Sequence, residues 1–316
     1  MTSHTNIADL SLARDDEAVR DLVARLSPET LVRVNEPLAK RTTLRVGGPA
    51  DIYTEPWSEK DLKTTVEFCA RHRMPIFVLG RGSNLLVKDG GFRGLVVCLA
   101  HPAFCRVDVA GSEIRCGAGA RLKAVAAEAK RRGLAGLEFL DGIPGSIGGG
   151  LRMNAGAMGE AIFNRVRSVR LMDFEGRVEE RAAAEMKARY RGCGLLKDHL
   201  ALAAVLDAQP GEPQAIERRM REFNEKRWRS QPAAPSAGCM FKNPPALPAG
   251  RLIDELGLKG TRVGGAMISF EHGNFLVNDG TATAGEILKL IDLVKNRAWV
   301  ERGIDLELEV QVIGES

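Results

Sequence analysis

Between residues 136 and 159 the chain reads GLEFLDGIPGSIGGGLRMNAGAMG, eight glycines in 24 residues. A helix or strand interior does not carry that density, because each glycine loses more backbone freedom on ordering than any other residue and offers no side chain to pack. The stretch is therefore loop, of a kind that lets main-chain N–H groups come close to a ligand. A shorter example, LGRGSNLL at 79–86, directly follows the apolar run PIFVL, which reads as a buried strand. Consecutive N–H groups in such turns form nests for phosphate oxygens. Neither loop is a dinucleotide fingerprint, which would need a third glycine at Leu85, and neither ends in the Gly-Lys-Ser/Thr of a P-loop. A lone GxG is most simply a tight turn. Two glycine loops in one chain point instead to a diphosphate held by loops.

The surrounding pattern is mixed. EKDLKTTVEFCARHR reads as a helix between the strands ADIYTEP and PIFVLG, a β-α-β order that suggests an α/β unit. Short strands follow in GLVVCLA, FCRVDVA and EIRCGAG, then a helix in RLKAVAAEAKRRG. A helix over AIERRMREFNEKRWRSQP leads into a Pro/Ala-rich segment with the character of a domain boundary. Near the C-terminus, Ile287, Leu290, Ile291, Val294 and Ala298 recur at helical spacing. The chain closes on a half-buried strand in which Leu306, Leu308, Val310 and Val312 alternate with Glu307, Glu309 and Gln311.

Charge and cysteine usage narrow the function classes. A net charge of +4 suits small anionic ligands, and with two tyrosines and three tryptophans the chain lacks the basic face and stacking platforms of a nucleic-acid binder. Six cysteines and five histidines show no metal-ligand spacing, so reduced thiols and no metal site are expected. No run approaches the ~20 apolar residues of a bilayer span, and the N-terminal stretch lacks the apolar core of a signal peptide. A cytoplasmic protein without membrane association is the expectation.

Eight segments, RTTLRVGGPA, LGRGSNLL, the 136–159 loop, YRGC, AGCMFKNP, LIDELGLKG, HGNFLVN and LELEVQVIG, occur in the order found in UDP-N-acetylenolpyruvoylglucosamine reductases. From about residue 28 onward the chain resembles that family. The resemblance implies an α+β fold: an FAD-binding fold of the vanillyl-alcohol-oxidase (PCMH) type in two subdomains, 27–100 and 101–211, then an α+β substrate domain, 212–316. The last strand is a candidate to return to the FAD part, and residues 1–26 form an extension without assigned role. The resemblance also implies non-covalent FAD, NADPH as reductant, and conversion of UDP-N-acetylglucosamine enolpyruvate to UDP-N-acetylmuramate. That step serves peptidoglycan synthesis, and through it cell-wall biogenesis, cell shape and division. A monomer is expected.

Carried over residue by residue, the resemblance places the FAD pyrophosphate against Gly80, Arg81, Gly82, Ser83 and Asn84. On the other side it places Ile143, Pro144, Gly145, Ser146, Gly148 and Gly149, with Asn154, Ala155 and Gly156 close by. It makes Arg191 the fixed cation, Glu309 the catalytic carboxylate and Cys239 the proton donor. Tyr190, Arg227, Arg229, Lys242, Asn243 and Asn274 become substrate contacts. The departure is Cys239, because the family's usual donor is serine. A thiol, with a pKa near ~8.5, stays mostly protonated at neutral pH yet releases its proton more readily than an alcohol.

Taken singly, these residues have plainer readings. Arg191 alone reads as a surface arginine, and alternation cannot choose between Glu307 and Glu309. Lys242 stands open between carrying substrate charge and complementing a nearby carboxylate. His272 reads as a packing histidine, and Cys69, Cys98, Cys105, Cys116 and Cys193 as structural. Only fifteen residues separate Tyr190 from Leu206, and no tyrosine follows Tyr190, so the chain resembles the shorter form that lacks an inserted tyrosine loop. Two rivals remain, a covalent flavin oxidase of the same fold and a non-catalytic nucleotide-sugar sensor. The first glycine loop has no histidine to tether a flavin, and a sensor has no use for a proton donor.

Overall fold

The computed structural model describes residues 16–316, so most of the expected N-terminal extension lies outside the described residues. The chain divides into two compact units. One takes the residues up to Asn35 together with Asp51–Gly80 and Gly94–Asn224; the other takes Glu36–Ala50, Arg81–Arg93 and Glu225–Ser316. This differs from a contiguous division at 100 and 211. Two short early segments belong with the C-terminal third because their apolar residues Leu44, Val46 and Leu86 are buried in the core that the C-terminal helices build. Residues from both 27–100 and 101–211 contribute to one apolar core, from Ile52 and Val97 through Ile114 and Leu171 to Met220.

The first unit holds two sheets. One runs in the order Leu31–Pro37, Pro49–Glu55, Phe92–Cys98, Ile76–Leu79; the other runs Val178–Ala182, Val166–Asp173, His199–Asp207, Glu113–Gly117, Val107–Ala110. Ile76–Leu79 pairs in parallel with Phe92–Cys98, joined to Pro49–Glu55 through the helix Glu59–Arg71, as the β-α-β reading expects. That helix begins where Ser58 accepts the Asp61 N–H, and it buries Leu62, Val66 and Cys69. The run PIFVLG is a correction. It forms the sheet edge, and only Leu79 of its four strand residues is buried.

The second unit is built on an antiparallel sheet in the order Ser236–Cys239, Phe275–Asn278, Ala266–Ile268, Arg262–Val263. The helix Ala284–Arg302 opens on a capping box between Thr283 and Glu286 and stops at Gly303 in the left-handed region. It buries Ile287, Leu290, Ile291, Val294 and Ala298, the positions its spacing marks. In the closing segment Leu306 and Val310 are buried and Leu308 and Val312 pack against the same core. Regular pairing is confined to Gln311–Ile313, parallel to Leu85–Val87. Residues 305–310 have no ladder of their own and bond along one side to residues 240–242. Among the described residues no helix is long and apolar enough to cross a membrane.

Candidate active site

In the first unit Gly80, at the start of the first glycine loop, meets the second glycine loop. A Cβ on Gly80 would lie 3.0 Å from the Ser146 hydroxyl and 3.9 Å from the Gly149 Cα. A side chain at position 80 would therefore fill the space between them. Ser146 caps the helix Ile147–Arg152 by accepting the Gly149 N–H at 3.4 Å. The Ile147 and Gly148 amides anchor the loop on the carbonyls of Ala120 and Ala118 at 2.9 and 2.8 Å. Residues 143–149 contain no carboxylate, so nothing there repels a phosphate. Bare backbone and neutral hydroxyl suit the diphosphate of FAD. Beneath the strand end, the fully buried Tyr53 donates to Glu55 at 2.7 Å, and Cys98 donates its thiol to the Gly80 carbonyl at 3.9 Å. Burial first, then Cys98 and Glu55, push the Tyr53 phenol far above its usual range and keep it neutral. No glycine motif announces Tyr53; the sequence shows it only as a tyrosine within the strand Pro49–Glu55.

Arg191 sits in the two-residue turn of the hairpin Ala188–Arg189 and Gly192–Cys193 with φ +56°. An arginine pays strain in that left-handed conformation, and such strain concentrates at functional positions. Its guanidinium donates to the Gly156 carbonyl at 3.5 Å and lies 5.2 Å from the centre of the exposed Tyr190 ring. Asn154, also left-handed at φ +41°, braces the hairpin. Its Nδ2 donates to the Arg189 carbonyl at 3.2 Å while its Oδ1 accepts the Phe163 N–H at 3.3 Å. Asn154 is thus a support for the Arg191 turn, with both ends of its carboxamide on protein backbone.

In the second unit Cys239 ends the strand Ser236–Cys239 directly after Gly238, at φ +77°. It is half-buried and within electrostatic range of Arg227, near the end of the helix Pro213–Ser230. Burial pulls the Arg227 guanidinium below its usual range, and the Cys239 sulphur acts in the opposite sense. One residue on, the Met240 carbonyl accepts the Glu309 amide at 2.9 Å. The half-buried Glu309 is held a second time, its carbonyl accepting Asn84 Nδ2 at 3.0 Å. The structure therefore brings Cys239, Arg227, Asn84 and Glu309 together. Glu307 is exposed and takes the Lys242 ammonium at 2.7 Å. Lys242 complements a carboxylate, and Glu307, its own carboxyl held below the usual range by that lysine, is the outward member of the alternation.

Asn274, Asn243 and Arg229 each have partners within the protein. Asn274 is 1% exposed; its Oδ1 accepts the Phe241 N–H at 2.9 Å and its Nδ2 donates to the Phe241 carbonyl at 2.8 Å. Its carboxamide faces backbone. The Asn243 Oδ1 accepts the Ala249 N–H at 3.0 Å, at the start of the helix Ala249–Glu255. Arg229 is exposed beside Glu225, 3.6 Å away on its own helix. Gly82, at φ +61°, lies so close to the Arg41 carbonyl that a Cβ would approach it to 2.4 Å. Gly82 thus turns directly against protein backbone.

The chain is similar in sequence to known proteins. Residues 231–313 match the model of the UDP-N-acetylenolpyruvoylglucosamine reductase C-terminal domain, and residues 50–181 match an FAD binding domain. The chain is 44% identical to a UDP-N-acetylenolpyruvoylglucosamine reductase of Heliobacterium modesticaldum, over 89% of this chain and 90% of that one. It is 41% identical to one of Geotalea uraniireducens, over 95% and 99%. The crystal structure of UDP-N-acetylenolpyruvylglucosamine reductase from Thermus caldophilus superposes with a TM-score of 0.79 at 39% identity, covering 90% of this chain and 98% of that one.

Proposed function

The chain belongs to the UDP-N-acetylenolpyruvoylglucosamine reductase family, and on that premise we propose how its residues carry the reaction. It is an FAD-dependent oxidoreductase that reduces UDP-N-acetylglucosamine enolpyruvate to UDP-N-acetylmuramate with NADPH, for peptidoglycan synthesis. FAD, when bound, would supply to C3 of the enolpyruvyl group the hydride it draws from NADPH. The residues around Gly80 and Ser146 hold its diphosphate. Hydride addition drives negative charge onto C2 and the adjoining carboxylate, charge that is absent at C2 in the bound substrate, develops in the transition state and lasts until C2 is protonated. Arg191 meets it with a fixed cation, held ready by the strained turn. Cys239 then gives its thiol proton to C2, saturating the double bond, and recovers a proton from solvent afterwards. Arg227 stabilises the thiolate formed in that step, and Glu309 orients the donor.

The observation that carries this reading is the Glu309 amide on the Met240 carbonyl at 2.9 Å, which ties the carboxylate strand to the residue next to the thiol. Six free cysteines support a reducing compartment, and we place the enzyme in the cytoplasm, acting as a monomer, with cell shape and division depending on its product. The test is direct. Purified protein should be yellow and release its flavin on denaturation, and NADPH consumption should depend on the enolpyruvyl sugar nucleotide. Flavin retained by the denatured chain would favour a covalent oxidase; colourless protein that takes up no added FAD would end the proposal.

A further inference from the structure

The strand Ser236–Cys239 pairs with Phe275–Asn278 through Cys239 opposite Phe275, and there the ordinary ladder ends. The next backbone bond is Met240 N–H to the Asn274 carbonyl at 2.8 Å. At Phe241 the neighbouring backbone has already turned away, and a side chain replaces it. The Asn274 carboxamide accepts the Phe241 N–H at 2.9 Å and donates to the Phe241 carbonyl at 2.8 Å, the two bonds a further strand residue would have made. Asparagine suits this task because one short, rigid side chain presents an acceptor and a donor side by side; aspartate lacks the donor.

On the opposite edge residues 240–242 bond to residues 307–309. Met240 accepts the Glu309 amide at 2.9 Å, Phe241 bridges Leu308, and the Lys242 amide donates to the Glu307 carbonyl at 2.9 Å. Met240, Phe241 and Asn274 are each at most 1% exposed, so water cannot stand in for a lost partner. Asn274 is itself held from behind, its N–H donating to His272 Nδ1 at 3.1 Å.

We propose that Asn274 is a positioning residue, whose carboxamide pins Phe241 and thereby sets the Cys239 sulphur against the Glu309 carboxylate for proton delivery. This rests on the roles proposed above for Cys239 and Glu309. Without the carboxamide, residues 239–241 keep their link to 307–310 but lose their fixed edge, and the thiol drifts from the atom it must protonate. Flavin reduction by NADPH needs no proton from Cys239 and is untouched.

The experiment compares the two half-reactions of the flavin-loaded enzyme by stopped flow in Asn274→Ala and Asn274→Asp. Reoxidation by the enolpyruvyl sugar nucleotide should slow about 10²-fold in Asn274→Ala, the effect of misplacing a reacting group by roughly 1 Å. Asn274→Asp, which keeps the acceptor and loses the donor, should fall between. KM for the sugar nucleotide should hold while kcat drops, and the solvent deuterium effect on reoxidation should grow as proton delivery becomes limiting. Cys239→Ala is run beside them, and adding Asn274→Ala to it should slow reoxidation no further. Equal slowing of both half-reactions, unchanged reoxidation, or additive losses in the double variant overturns the inference. If Asn274→Ala does not fold, Asn274→Asp and Asn274→Ser decide by the same criteria. Wild-type reoxidation in Cys239→Ala would sink the donor role itself, whereas a slow Cys239→Ala beside a fast Asn274→Ala would sink only the positioning role.

Discussion

Thr43 and Ser236, 193 residues apart in the chain, are joined by a hydroxyl-to-carbonyl hydrogen bond of 2.6 Å. The Thr43 amide donates to the Gly82 carbonyl at 3.1 Å, and Asn278 reaches the neighbouring Leu44 carbonyl at 3.0 Å. One threonine therefore joins the first glycine loop to the strand that ends in Cys239. Thr43→Val keeps the shape and leaves the Ser236 carbonyl without this partner. It should lower stability by about 1–2 kcal/mol, since a part-buried acceptor loses its bond. Urea unfolding of the flavin-loaded protein should show a lower midpoint with unchanged slope, and Thr43→Ser should restore it.

The cysteines should separate by reactivity. Burial pushes the Cys69 and Cys116 thiols up to about 12, so neither forms appreciable thiolate at neutral pH. Cys239 is half-buried and within electrostatic range of the Arg227 guanidinium. Iodoacetamide at pH 7.5 should modify Cys239 first, inactivate in proportion, and be slowed by substrate. Peptide mapping that finds Cys69 or Cys116 modified ahead of Cys239 in the folded protein would contradict this assignment. Cys239→Ser should retain appreciable turnover and Cys239→Ala should not.

Substitutions at Arg191 should separate strain from function. Arg191→Gly and Arg191→Ala both remove the guanidinium, and both should reduce kcat/KM by about 10²–10³-fold, the usual loss of a charge-stabilising donor. Only glycine accepts φ +56° without strain. The glycine variant should therefore be more stable than the alanine variant by about 1 kcal/mol. Equal melting temperatures would mean that the turn is not held in this conformation in solution.

His272 should make stability pH-dependent. Burial first, then the nearby Lys259, hold its imidazole below the usual range, and its Nδ1 is occupied as an acceptor from the Asn274 N–H. The unfolded chain therefore binds a proton at higher pH than the folded one. This contribution is fully present above the unfolded value near ~6.5, and it is lost progressively as pH falls from there toward the depressed folded value. His272→Asn, which offers an oxygen near the Nδ1 position, should flatten that part of the pH–stability curve. An unchanged slope would exclude His272 as its source.

Much of this protein was readable before any tertiary contact was known. Glycine density marked both loops, helical spacing in 287–298 marked the face that Ala284–Arg302 buries, and eight ordered motifs identified the family. Arg191 offered no local sign of its left-handed turn, since that conformation follows from the pairing of Ala188 with Cys193 and Arg189 with Gly192. Asn154 and Asn274 stood in ligand-type motifs and proved to hold backbone.

The sequence by itself determined which segments are loops, which faces are buried and which chemistry is present, because apolar burial and glycine's freedom are properties of neighbours along the chain. The tertiary structure alone decided that 36–50 and 81–93 belong with the C-terminal unit, that Glu307 pairs with Lys242 while Glu309 lies beside the Cys239 strand, and that Asn274 closes Phe241. The reason is directional. Burying an apolar group needs only the right face, whereas a polar side chain is defined by the one partner it points at, and that partner is brought there by a distant part of the chain.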